Sequence, residues 1–263
     1  MIYIGNLINR LGEDNINFQG CIMKIIEYNH ANDLYIKFQD SFGAIVHGAC
    51  REFKNGRIKN PYYPDVYGVG MTGYKYKTFE NGKDVREYKI WHSILQRCYN
   101  EVTQLKQPTY KGCTVSDDWK FYENFYEWIH KQDNYKQWKN SDRWTVDKDI
   151  ILKGNKIYSS EYCCLIPESV NTLFTKRQND RGCYPIGVYY YKAGNSFRAQ
   201  CMNPLINKRV LIGTYNNPND AFYAYKDYKE DLIKKIAEQE YKNGTIIKKC
   251  YEAMMSYNVE ITD

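Results

Sequence analysis

The chain has 263 residues, enough for about two domains or three small ones. Hydrophobic residues make up 43%, which supplies buried cores and excludes wholesale disorder. Basic residues outnumber acidic ones by 37 to 31, a net +6 that permits a polyanionic partner without requiring one.

Tyrosine is over-represented, at 27 residues. Interleaved tyrosine and lysine suit a surface that stacks on bases and neutralises phosphates. An A/T-rich genome, as in a phage or low-GC bacterium, enriches the same residues for no functional reason. The nine cysteines stand at 21, 50, 98, 113, 163, 164, 183, 201 and 250, with no C-x-x-C among them. An odd count in a long chain argues against a disulfide framework and a zinc knuckle, and for reduced, mostly buried thiols. Met1 to Asn9 carry no basic segment followed by a long apolar run. No stretch nears the roughly 18 apolar residues of a span, so a cytoplasmic protein with no membrane partner is expected.

Residues 1–75 read as a small β domain. Ile22–Tyr28 is one strand candidate and Asp33–Phe38, whose apolar and polar positions alternate, is a second, with a tight turn at His30-Ala31-Asn32 and a third strand starting at Ala44-Ile45-Val46. A twisted, barrel-like domain of the Tudor or KOW sort fits. Asn60-Pro61-Tyr62-Tyr63-Pro64, followed by Gly68, Gly70 and Gly73, marks the boundary.

Residues 76–178 form the middle. Tyr88–Tyr99 has helical periodicity, with Ile90, Trp91, Ile94, Leu95 and Cys98 on one side. Asp117 or Asp118 is placed to cap a second helix, Trp119–His130, whose aromatics suit a core. His130 closes that helix as a C-terminal cap partner.

Residues 179–263 begin with a β-β-β-α pattern. Gly187–Tyr191, Ser196–Cys201 and Arg209–Tyr215 are strands. Asn217-Pro218-Asn219-Asp220 opens an amphipathic helix from Ala221 to about Glu240, with Ala221, Ala224 and Tyr225 toward the sheet. Residues 242–263 add one more helix or fray. One helix covers one sheet face and leaves the other open. Alternation puts Tyr189 with Tyr191, and Arg198 with Gln200, on shared faces, with Lys192, Lys208 and Arg209 adding charge. Such a sheet can enter the major groove, Arg and Gln reading base edges and Lys holding phosphates.

Gly187-Val188, Phe197-Arg198-Ala199, Arg209–Tyr215, Asp220-Ala221 and Ala224-Tyr225 occur in an order that resembles the DNA-binding domain of plant ethylene-response factors, a domain also carried by phage HNH endonucleases. The resemblance covers about 55 residues. It implies a three-stranded antiparallel sheet packed on one helix and double-stranded DNA as partner. The chain departs from it at Tyr189-Tyr190-Tyr191, where the family often has arginines.

The middle is similar to a phage HNH-related family across about 85 residues: Trp91-His92, Arg97–Asn100, Tyr110–Val115, Trp119, Phe121, Asn124-Phe125, Thr145–Ile150, Gly154-Asn155, Tyr158, Ser160-Glu161, Cys163, Pro167 and Asn171. HNH chemistry needs a histidine base, ligands for one divalent ion, and a hairpin followed by a helix. The resemblance implies Asp147 as a ligand of Mg2+, Asn171 as the ligand from the helix, and Lys148 at the base position. A lysine is protonated near neutrality and cannot serve as base there. Tyr162 also replaces the usual Asn. Asp147 and Asp149 can hold the ion or pair with Lys148 and Lys153. His92 is the candidate substitute base, or a packed helix histidine.

The whole is expected to be α+β: a small N-terminal β-barrel-like domain, a degenerate HNH middle and the C-terminal sheet-helix unit. Three functions remain open: an HNH-type homing or nicking endonuclease, a catalytically silent DNA-binding relative, and a phage anti-defence protein, such as an anti-CRISPR. The last would occupy a host defence protein or nucleoprotein complex.

Overall fold

A computed structural model describes residues 9–176 and 183–263. The segment Met1–Ile8 and the boundary expected at 178/179 lie outside the described residues. The fold is mixed α+β with several small sheets. The chain divides into two units, residues 1–109 with 117–126, and 110–116 with 127–263.

In the first unit, β1 (Asp14–Ile16), β2 (Ile22–His30), β3 (Asp33–Phe38) and β4 (Ile45–Gly48) form an antiparallel meander in that order. Alternation buries Met23 and Ile25 of β2, and Leu34, Ile36 and Phe38 of β3, on one face. The expected barrel does not close. After β4 the chain turns into α1 (Cys50–Lys54), whose Phe53 enters the same core. The segment then returns to the β1 side. Asn15 Nδ2 donates to Phe53 O at 2.7 Å, Phe18 N to Gly56 O at 2.9 Å and Asn17 Nδ2 to Ile58 O at 2.9 Å. Helix and loop thus take the place of a closing strand. Gly56 allows it: its φ is +66°, and a Cβ there would lie 2.9 Å from Ile16 O.

The two-residue strands β5 (Phe79–Glu80) and β6 (Lys83–Asp84) lead into α2 (Arg86–Tyr99) and α3 (Glu101–Lys106). The periodicity of α2 buries Trp91, Ile94, Leu95 and Cys98, as expected, while Ile90 is only partly buried and Glu87 is buried with them. Trp91 Nε1 donates to Trp119 O at 2.7 Å. The strand β7 (Thr114–Val115) precedes a 3-10 turn, Asp117–Lys120, and α4 (Tyr122–His130). The helix expected from Trp119 therefore starts later. Asp117 spends its carboxylate on Lys120 Nζ at 2.7 Å.

In the second unit, α5 (Tyr135–Lys139) precedes β8 (Trp144–Asp147), β9 (Ile157–Tyr158) and β10 (Cys164–Pro167). β8 and β10 pair antiparallel, and β7 pairs parallel with β9. The short α6 (Glu168–Asn171) follows at once. Then β11 (Val188–Tyr191), β12 (Ser196–Asn203) and β13 (Lys208–Tyr215) form an antiparallel sheet in chain order. It is backed by α7 (Pro218–Lys242), which Asn217 caps by accepting from Asp220 N, and α8 (Lys248–Met255) follows. The sheet-helix core gathers Val188, Ala199, Cys201, Ala221, Phe222 and Tyr225, among others. Gly187 makes close packing possible: its φ is +78°, and a Cβ would meet the Tyr225 ring at 2.1 Å. No helix among the described residues is long and apolar enough to cross a membrane.

Candidate nucleic-acid interface

The three-stranded sheet sorts its side chains by register. Ala199 and Cys201 are buried against α7. Arg198, Gln200 and Met202 therefore take the opposite face. Tyr189 of β11 and Thr214 of β13 flank Arg198, Leu211 lies across from Gln200, and Arg209 from Met202. A bulge between Ala199 and Gln200 shifts the register, an irregularity that raises local twist. Five expected interface residues thus share this face: Tyr189, Tyr191, Arg198, Gln200 and Arg209.

Two do not. Lys208 pairs in register with Asn203, whose Nδ2 donates to Tyr228 Oη of α7 at 2.9 Å. That register puts Lys208 on the helix side, because it neighbours Arg209 and side chains alternate. Lys192 lies in the exposed 3-10 turn Lys192–Gly194 that joins β11 to β12. Sequence order alone suggests a single cluster of charge, which the register divides.

The Arg198 guanidinium lies over the Tyr191 ring, its carbon 3.3 Å from the ring centroid. A hydrogen bond with the Tyr189 hydroxyl favours its charged form and raises its pKa. Stacking occupies the face of the guanidinium and leaves its rim of N–H donors. Nε is buried without a hydrogen-bond partner. From Cys183 to Asn219 the chain has Lys192, Arg198, Lys208 and Arg209 and no carboxylate. That one-signed run is a signal in the sequence beyond the strand pattern, and it coincides with the sheet. The face is not wholly polar: Met202 and Leu211 are about half exposed, as are Leu205 and Ile206 in the turn between β12 and β13.

The residues tied to cleavage occupy a different part of the second unit. Asp147 ends β8, and its Oδ1 accepts from Asp149 N and Ile150 N, both at 2.8 Å. Burial pushes its carboxyl up despite those bonds. Lys148 is buried, and its Nζ donates to Asp149 Oδ1 and to Asn155 O, each at 2.7 Å. Asn155 returns the contact by donating to Lys148 O at 2.9 Å and to Ile157 O at 2.7 Å. Position 148 is therefore a cation clamped in a loop. Cys163 is buried, which pushes its thiol up and keeps it unreactive. Asn171 is the last residue of α6, which packs on β8 and β10. Among the described residues no hydrogen bond joins it to Asp147. Strand, strand and helix succeed one another here, and Asp147 and Asn171 are the residues of that run that would offer oxygen to Mg2+. The ion takes oxygen ligands in near-octahedral geometry. Asp147 has committed Oδ1 to two N–H groups, which leaves Oδ2 as the oxygen that would hold the ion, and Asp149 has turned to Lys148.

His92 lies in the first unit, on α2, with ring centroids 5.0 Å from Tyr67 and 5.9 Å from Tyr88. His130 ends α4 with Nε2 at 3.0 Å from Tyr135 Oη. No family model, curated protein or solved structure matches this chain.

Proposed function

We propose that the chain binds duplex DNA through the face of the β11–β13 sheet turned away from α7, as a phage-type relative of HNH endonucleases in which the 147–155 loop serves structure rather than cleavage. The observation that carries this reading is the Arg198 guanidinium stacked on Tyr191, beside Tyr189, on a sheet segment with four cations and no carboxylate. The stack holds the arginine fork in one orientation, as base-edge recognition needs. Resemblance to the ethylene-response-factor domain, and of the middle to HNH proteins, agrees with it.

The test is fluorescence anisotropy with labelled duplex over a salt series. Arg198→Ala with Arg209→Ala is expected to weaken binding by about 1–3 kcal/mol for each arginine that reads a base. Affinity of the native chain should fall steeply with salt. Unchanged affinity in the double variant would sink the assignment.

A second reading is an anti-defence protein that docks on a host defence protein or nucleoprotein complex. The exposed Leu205, Ile206, Leu211 and Met202 favour it, since apolar groups gathered on one surface mark protein contacts. Leu205→Ser with Ile206→Ser would then abolish partner capture and spare DNA retention.

A further inference from the structure

The first unit contains a cleft of about 720 Å³ lined by Lys59, Asp65, Tyr67, Thr72, Tyr88 and His92, among others. That volume falls within the range of small-molecule sites, roughly 300–1,000 Å³. Three rings bound it. Tyr67 and Tyr88 both lie against His92, at 5.0 and 5.9 Å between centroids.

Tyr67 carries an independent mark. Its φ is +53°, in the left-handed region. The other non-glycine residues described there are Asn81, Asn195 and Asn207, a type that tolerates this region. An aromatic residue held there is strained, and such strain persists only where its surroundings impose it. Here they do. Val66 N donates to Gly70 O at 3.1 Å and Gly70 N to Val66 O at 2.9 Å, closing the loop around Tyr67. Gly70 presses on α2 so closely that a Cβ would lie 2.4 Å from Leu95 Cδ1 and 3.0 Å from Trp91. The loop is thereby fixed, and the Tyr67 ring is held at the cleft against His92.

The lining has the chemistry of nucleotide recognition. Flat rings stack on a base of any sequence. The Asp65 carboxylate suits an exocyclic amino group, and the Lys59 ammonium suits a phosphate. The hydroxyls of Tyr67 and Tyr88, like any phenol, are protonated at neutral pH and able to donate. The Tyr88 hydroxyl is further tied to the Thr72 side chain.

We propose that this cleft binds one unstacked nucleotide, its base against Tyr67, Tyr88 and His92 and its phosphate toward Lys59. The nucleotide is either free or a single unit of a single-stranded nucleic acid, and both sources share this chemistry. The site is separate from the duplex-reading sheet face.

Isothermal titration of the full chain with deoxynucleoside monophosphates, with a short single-stranded oligonucleotide and with deoxyribose 5-phosphate tests it. The expected result is binding of a mononucleotide, of the oligonucleotide or of both, and weaker binding of the sugar phosphate, which lacks the base. Similar affinity for mononucleotide and oligonucleotide would identify a free nucleotide, and preference for the oligonucleotide a unit within a strand. Tyr67→Asn keeps a residue that accepts the left-handed backbone and removes the ring. His92→Ala removes the facing imidazole. Each is expected to weaken binding about tenfold while thermal unfolding stays cooperative. Arg198→Ala with Arg209→Ala should leave this binding unchanged, which separates its failure from failure of the sheet-face reading. The proposal is overturned if neither nucleotide nor oligonucleotide binds, if the sugar phosphate binds as well as the nucleotide, if both cleft variants bind like the native chain, or if the sheet variant abolishes binding.

Discussion

At the residue scale, three cations show how position decides role. Arg198 is stacked on an open face, Lys148 is clamped in a loop, and Lys229 is buried in the sheet-helix core. Burial lowers the pKa of Lys229, partly offset by Cys201 nearby. With a folded pKa below the unfolded value, the unfolded chain binds more protons between the two, so stability rises with pH across that window. Lys229→Met keeps the stem volume and removes the buried charge. It is expected to raise stability by about 1 kcal/mol or more and to abolish that alkaline rise. Urea unfolding of both forms at neutral and alkaline pH checks this, and a less stable variant would show that the amine is needed. The position of Lys229 is legible, since it lies four residues after Tyr225 and four before Ile233 on the buried stripe of α7, but its residue type argues the other way, because lysines are seldom buried. Arg198, by contrast, is legible, because period-two alternation with buried Ala199 and Cys201 fixes its side of the sheet. Its stacking on Tyr191 is not, since the facing strand's register is set only in three dimensions.

At the scale of elements, strong periodicity and a cap are what the sequence shows most clearly. The α2 stripe and the Asn217 cap of α7 stand where the sequence puts them. The barrel does not, because strands of three and four residues cannot report whether a sheet closes or is finished by a helix. The segment after α8 is also ambiguous in the sequence, and its anchoring depends on contacts distant along the chain. Asp263 is buried, with Oδ2 2.8 Å from Lys153 Nζ and Oδ1 2.8 Å from Lys176 Nζ. Lys226 bridges Glu230 and the Val259 carbonyl, each at 2.7 Å. Burial pushes the Asp263 carboxyl up, but the two lysine hydrogen bonds outweigh it and hold the pKa below its ordinary 3.8. Its contribution is therefore fully present above about pH 3.8 and lost as pH falls through the lower folded value. Asp263→Asn should cost roughly 1–2 kcal/mol at neutral pH, the scale of hydrogen bonds to a charged group. The native and variant stabilities should converge below pH 3.8. A constant gap at all pH values, measured by urea midpoints, would count against the clasp.

At the scale of the molecule, binding and cutting come apart. The residues proposed for binding share one sheet face, whereas Asp147 and Lys148, expected for cutting, hydrogen-bond within their own loop. Asp147 Oδ1 accepts two backbone N–H groups, and Lys148 offers its protons to Asp149 and Asn155. A base must have a free lone pair within reach of water, and a protonated ammonium making two donor contacts has none to offer. The sequence shows the order of residues, but only atomic contacts reveal what already holds a carboxylate or an ammonium, which is why catalysis is the least legible feature. Incubation of the purified chain with supercoiled plasmid in Mg2+, in Mn2+ and in chelator separates the readings. The expected result is intact plasmid in all three, with salt-sensitive retention of duplex that does not need the metal. Asp147→Ala should then leave DNA retention unchanged while lowering stability, because it removes the acceptor of the 149 and 150 amides. Nicking in Mg2+ or Mn2+ that disappears in Asp147→Ala would restore the endonuclease reading, with Asp147 Oδ2, which the loop amides leave open, as the oxygen offered to the ion.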